Sequence, residues 1–140
     1  MITGDLHDFD FLAGEWSIVN RTLRARGVGS DDWDEFPGSL RLYFLLGGLV
    51  NVDEIAFPTK GWSGSSVRIF NLERHQWSIY WVSSMAGVLQ PPVVGGFSGS
   101  LGEFHGEDED AGRRVKVRYL WTKLGPYVPR NEAGVLIRWK

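Results

Sequence analysis

Between Arg113 and Leu124 the side chains alternate almost residue by residue. Val115, Val117, Tyr119 and Trp121 stand against Arg114, Lys116, Arg118 and Leu120. A period of two places successive side chains on opposite faces of a strand, whereas a helix would scatter both sets around its circumference. The pattern recurs in short runs. In Trp16–Arg26, Trp16, Ile18, Asn20 and Thr22 share one face, and Val19, Arg21 and Leu23 the other. In His75–Ser83, Trp77, Ile79 and Trp81 oppose Ser78, Tyr80 and Val82. Residues Ser39–Leu46, Leu49–Phe57, Ser65–Leu72, Val93–Gly99, Glu103–Glu107 and Val135–Lys140 complete the candidate strands.

The segments between them carry turn chemistry. Gly47-Gly48 permits the positive φ of a tight hairpin, Pro58-Thr59-Lys60-Gly61 ends a strand, and Asn71–Arg74 and the acidic Asp108–Gly112 read as turns. Gly27–Gly38 is polar loop chemistry around Trp33 and Phe36, an aromatic pair that either caps the body as a lid or simply tucks the loop down. Met85–Pro92 is a longer loop. Its Pro91-Pro92 pair stiffens it into a fixed rim at one mouth. Gly125–Pro129 breaks the chain before the last strand. Asp8–Gly14 reads as one helical turn, with Asp8 as its cap and Phe9, Phe11 and Leu12 as a plug. About eight or nine short strands joined mostly by short turns predict a sandwich or an up-and-down barrel, and sequential hairpins favour the barrel. No repeat or linker divides the chain, so residues 1–140 form one domain.

Composition removes whole classes of function. Cysteine is absent, which excludes disulfide frameworks, thiolate metal sites and cysteine nucleophiles and suits a reducing cytoplasm. The net charge is −2 with both signs mixed, and no basic excess marks a nucleic-acid binder. Met1–Phe11 carries Asp5, Asp8 and Asp10 and no cation, unlike a secretory signal, and no apolar run is long enough to span a bilayer. The expectation is a cytoplasmic protein without membrane or nucleic-acid partners.

Phe11-Leu12-Ala13-Gly14-Glu15-Trp16 resembles the G-x-W start of calycins, the superfamily of lipocalins, fatty-acid-binding proteins and haem-binding nitrobindins. The longer pattern adds Asp10-Phe11-Leu12, Asn51-Val52-Asp53-Glu54, Arg68-Ile69-Phe70 and Gln76-Trp77-Ser78-Ile79-Tyr80-Trp81. Gly95-Gly96-Phe97 with Gly99, and Phe104-x-Gly106, complete it. Over roughly residues 8–125 it is similar to an uncharacterised bacterial calycin-like family. The resemblance implies an antiparallel, lipocalin-like barrel with a short N-terminal helical plug, and the tryptophan packed beneath the lumen. The C-terminus departs from it. Arg130-Asn131-Glu132-Ala133 leads to Trp139-Lys140 where a final hairpin is expected. An incomplete barrel would leave edge strands to pair with a second copy, so a homodimer is expected.

Several residues carry candidate chemistry. Asp53 shares a face with Asn51 and Ile55, and Glu54 with Val52, so one carboxylate points inward whichever face is buried. An inward carboxylate needs a partner, and Arg68, between Ser66 and Phe70, can be that partner or can hold the carboxylate or carbonyl of a ligand. Trp77, Trp81 and Tyr119 are candidate walls of a pocket, with Tyr80 and Asn20 as polar groups. The cations of Arg114–Arg118 read as a solvated outer face. The resemblance raises haem. His7 lies in the terminal arm and His75 at the turn where its strand begins; His105 lies within a strand, on one face with Glu103 and Glu107, and a surface or structural role for it is favoured. No metal spacing and no cofactor motif is present. The expected function is binding of a small apolar or amphipathic molecule in the lumen. The alternatives are an acid–base enzyme of cyclase or isomerase type, with Asp53 or Glu54 as proton acceptor and Tyr80 as donor, and a structural module with a filled core.

Overall fold

The computed structural model describes residues 2–23, 33–110 and 112–122. It is all-β, with eight antiparallel strands: β1 (Gly14–Leu23), β2 (Trp33–Leu45), β3 (Val50–Phe57), β4 (Trp62–Asn71), β5 (Gln76–Ser83), β6 (Val93–Ser98), β7 (Leu101–Asp110) and β8 (Arg113–Thr122). Each strand pairs with the next in sequence, and the order in the sheet is β1 to β8. Among the described residues no ladder joins β8 to β1. The sheet nevertheless curls, because Asn20 of β1 and Tyr119 and Trp121 of β8 line one cavity. The result is a curled half-barrel. No helix among the described residues is long and apolar enough to cross a membrane.

The alternation read from the sequence sets the faces. In β3, Asn51, Asp53, Ile55 and Phe57 are buried, while Glu54 is exposed. In β5, Trp77 and Ile79 are buried with Trp81 on the same face, and in β8 Arg114, Lys116, Arg118 and Leu120 are exposed. Register carries the inner face across the sheet: Trp16 opposes Leu40, Leu40 opposes Ile55, Asp53 opposes Ser66, and Ser66 opposes Trp81. Inward glycines make room for rings. A Cβ on Gly64 would collide with the Trp81 indole, and one on Gly38 with the Phe57 ring.

Several boundaries differ from expectation. The segment read as the loop Gly27–Gly38 is strand from Trp33 onward. There Phe36 is buried opposite Asn20, so it belongs to the core. Pro37 is tolerated because residues 33–38 pair with β1, while pairing to β3 begins at Ser39; the missing N–H falls where the ladder is one-sided. Strand β7 reaches Asp110 rather than ending at Glu107, its ladder with β8 continuing to Asp110 opposite Arg113, and Arg114 Nη2 lies 3.5 Å from Glu107 Oε2 across that ladder. The Gly47-Gly48 turn is a short 3-10 turn, Leu46–Gly48, with φ of 64° at Gly47 and 97° at Gly48. Residues 24–26 of the first expected strand, the loop from Gly27 to Asp32 and the expected strand Val135–Lys140 lie outside the described residues.

The N-terminal segment forms a 3-10 turn at Asp10–Leu12, preceded by turns over residues 6–9 and an arm without regular structure over residues 2–5. Asp8 does not cap that turn. Its Oδ2 instead accepts from the backbone N–H groups of Asp5 and Phe97, at 2.9 and 3.2 Å. This is possible because β5 and β6 pair over only three residues, Trp77 to Ile79, which leaves the Phe97 N–H to the arm. Gly4 N donates to His75 O, Gln76 Nε2 to Ile2 O and Trp77 Nε1 to Asp5 O. The arm thereby stitches β5 to β6 and drives Phe9 into the core. The Phe9 ring meets Trp77, Phe97 and Trp121 edge-on at centroid distances of 5.0, 5.3 and 5.8 Å. Such edge-to-face contacts add to simple burial. Trp16 Nε1 donates to Leu12 O at 3.0 Å, tying the G-x-W tryptophan to the turn.

Candidate functional site

A cavity opens on the inner face of the half-barrel. Strand β1 gives it Asn20 and β2 Leu40, while β3 gives Asp53, Ile55 and Phe57. Strand β4 gives Trp62, Ser66 and Arg68, β5 gives Ile79 and Trp81, and β8 gives Tyr119 and Trp121. The cavity is narrow, with a core of about 30 Å³. That core volume suffices for water, and for anything larger the wall must give way.

The polar part of the lining is built around Arg68, which is 2% exposed. Its Nη2 donates to Asp53 Oδ2 at 2.5 Å, and its Nη1 to Asn51 Oδ1 at 2.9 Å. Asp53, also 2% exposed, uses Oδ1 to accept from Ser66 N at 2.9 Å. The ladder makes this arrangement. Asn51 lies directly opposite Arg68, and Asp53 lies two residues along β3, within reach of a long side chain on the same face. Removing two charges from water is costly, and the pair survives because each charge meets the other and further hydrogen-bonding groups. Aromatic faces complete the enclosure, with the guanidinium carbon 5.1 Å from the Phe9 ring centroid and 5.6 Å from that of Trp121. Three buried donor atoms have no acceptor among the described residues: Arg68 Nε, Asn51 Nδ2 and Trp121 Nε1.

Tyr119 stands beside this pair. Burial pushes its phenol pKa up, the charge of Arg68 opposes the shift, and that of Asp53 adds to it. The Tyr119 hydroxyl therefore keeps its proton through the physiological range. On the apolar side Phe36, Phe57, Trp62 and Trp81 follow one another, with successive ring centroids 5.1, 4.7 and 6.3 Å apart.

Five of the seven residues singled out from the sequence meet in this cavity: Asn20, Asp53, Arg68, Trp81 and Tyr119. Trp77 does not line it. It is fully buried against Phe9 and Phe70, because the N-terminal arm fills that part of the inner face. Tyr80 is also elsewhere. It lies on the outer face of β5, opposite Val67, so the expected pair of Asp53 as acceptor and Tyr80 as donor is separated by the sheet. Glu54 points outward too. Sequence reasoning passed over Trp62 and the polar contribution of Asn51. The signal for Asn51 was its shared parity with Asp53 in an apolar strand. Trp62 sits just past a turn, where alternation has no run to show itself.

The histidines stay outside the cavity lining. His7 Nδ1 is 2.8 Å from Asp10 Oδ2, and His105 Nε2 is 2.9 Å from Glu103 Oε2, both exposed. His75 lies in the β4–β5 turn with φ of 52°. Among the described residues no three His, Asp or Glu side chains converge as a metal site would require. No protein-family model matches the chain, and no curated protein matches it.

Proposed function

We propose that this protein is a calycin-like carrier or sensor that holds a small apolar or amphipathic molecule in its lumen. The observation that carries this reading is a buried, hydrogen-bonded Asp53–Arg68 pair set among aromatic walls in one cavity. Apolar walls with a few fixed polar groups are the usual make-up of a small-molecule site. The N-terminal turn and Phe9 act in this reading as the plug of the barrel. The narrowness of the cavity means that the ligand is slim or displaces a ring on entry. A second reading, a filled-core module, draws on that same narrowness. We also propose that the edges of β1 and β8, each with one neighbouring strand among the described residues, support a homodimer.

Native mass spectrometry after incubation with a panel of slim apolar compounds separates the two readings. Binding at one molecule per chain, lost in Arg68→Met and Trp81→Ala, is the expected result. A mass equal to that of the bare chain throughout the panel rejects the carrier reading and leaves the filled core.

A further inference from the structure

The unpartnered groups of the lumen share one chemical sign. Arg68 Nε and Trp121 Nε1 belong to side chains that line the cavity, both are buried, and neither has an acceptor among the described residues. Guanidinium and indole donate and never accept. Asn51 adds a third spare donor behind them, since its one acceptor oxygen already receives Arg68 Nη1. A molecule that completes this cluster must therefore bring an acceptor.

The charge balance narrows the acceptor further. The guanidinium is neutralised by Asp53, which is itself buried and bound through both oxygens. The remaining polar groups of the lining, Asn20, Ser66, Tyr119 and Trp121, supply no second cation. A ligand carboxylate would place a second negative charge next to Asp53 in a site that offers one positive charge for both. Buried charges without a matching partner are strongly disfavoured. A carbonyl or ester oxygen meets the same donors without that cost.

We propose, resting on the lumen-binding reading above, that the ligand is an apolar molecule ending in an uncharged acceptor, a ketone, aldehyde or ester oxygen, seated between Arg68 Nε and Trp121 Nε1. The class excludes free fatty acids as preferred ligands, although an arginine in a lumen invites that assignment.

The test titrates the purified protein near neutral pH with hexanone, hexanoate and hexane, followed by calorimetry and by the indole N–H resonances. Hexanone should bind about ten-fold more tightly than either of the others, the worth of one well-made hydrogen bond in a dry site. It should also shift the Trp121 indole N–H, identified by its loss in Trp121→Phe. Asp53→Asn removes the neutralising charge and should move the preference towards hexanoate. Hexanoate binding more tightly than hexanone in the unaltered protein overturns the proposal and leaves lumen binding intact. Equal affinity for hexane and hexanone, with an unmoved indole resonance, removes the polar seat, again without touching lumen binding. Failure of all three to bind removes the lumen reading and this proposal with it.

Discussion

The Phe9 ring centroid lies 5.1 Å from the guanidinium carbon of Arg68, so an N-terminal residue covers a cation buried on the inner face of the sheet. The contact joins two distant parts of the sequence and makes the arm part of the site. Phe9 is also fully buried among other rings. Phe9→Ala should destabilise the fold by about 3–5 kcal/mol, the usual range for removing a core phenylalanine. Phe9→Leu should cost less, because it keeps most of the volume and loses the ring face. Urea unfolding measures both, and a Phe9→Leu variant as stable as the unaltered protein would show that the ring over Arg68 contributes nothing beyond its bulk.

Asp53 and Arg68 should behave as a unit. Arg68→Met or Asp53→Leu alone leaves a buried charge unpaired and should cost about 3–5 kcal/mol. The double variant Asp53→Leu/Arg68→Met should be more stable than the sum of the singles predicts. A double-mutant cycle by chemical denaturation gives the coupling, and additive losses would show that the two charges act independently.

Gly64 gives the Trp81 indole its place, since a Cβ there would occupy the ring position. Gly64→Ala should therefore move Trp81, shift its fluorescence and cost about 1–3 kcal/mol, the range for overpacking. Adding Trp81→Val should recover much of that loss. An alanine variant with wild-type emission and stability would mean that the ring has room to spare.

Tyr119 predicts an alkaline dependence with a definite sign. Its phenol pKa is raised in the folded protein, whereas in the unfolded chain it titrates near 10. Above that value the folded state binds more protons than the unfolded state, so stability falls as pH rises. The contribution is fully present below about pH 10, and its slope beyond is at most about 1.4 kcal/mol per pH unit. Thermal melts between neutral and strongly alkaline pH should show a steeper decline for the unaltered protein than for Tyr119→Phe. Parallel declines would place the alkaline sensitivity elsewhere.

The proposed homodimer has a direct measurement. Light scattering on an eluting peak should give twice the 15.8 kDa of the chain. Arg114, Lys116 and Arg118 on the outer face of β8 disfavour pairing that edge with its own copy, which leaves β1 as the favoured contact. A monomer mass across micromolar concentrations would reject edge pairing.

Much of the fold was legible because alternation survives wherever one strand face is buried and the other wet. Strands β5 and β8 carried it cleanly, and Asp53 with Arg68 could be read as a pair from parity alone. What escaped the sequence depended on partners distant along the chain. The strand content of Trp33–Gly38 was hidden by Pro37, whose missing N–H is harmless only because β3 does not pair there. The role of Asp8 was misread because its acceptor serves Phe97, 89 residues away, rather than the adjacent turn. Trp77 looked like a pocket wall because nothing local announces that Phe9 covers it.

The strictly sequential order of the strands has a consequence for how the chain assembles. Every ladder joins neighbours along the polypeptide, so the sheet can zip up hairpin by hairpin, with short loops to close at each step. The arm is the exception. Asp5 must find Trp77 of β5, and Asp8 must find Phe97 of β6, so the arm has neither partner until those strands have emerged. Docking of Phe9 draws on Arg68, Trp77, Phe97, Phe104 and Trp121, from β4 through β8, so it is a contact that hairpin-by-hairpin pairing cannot supply.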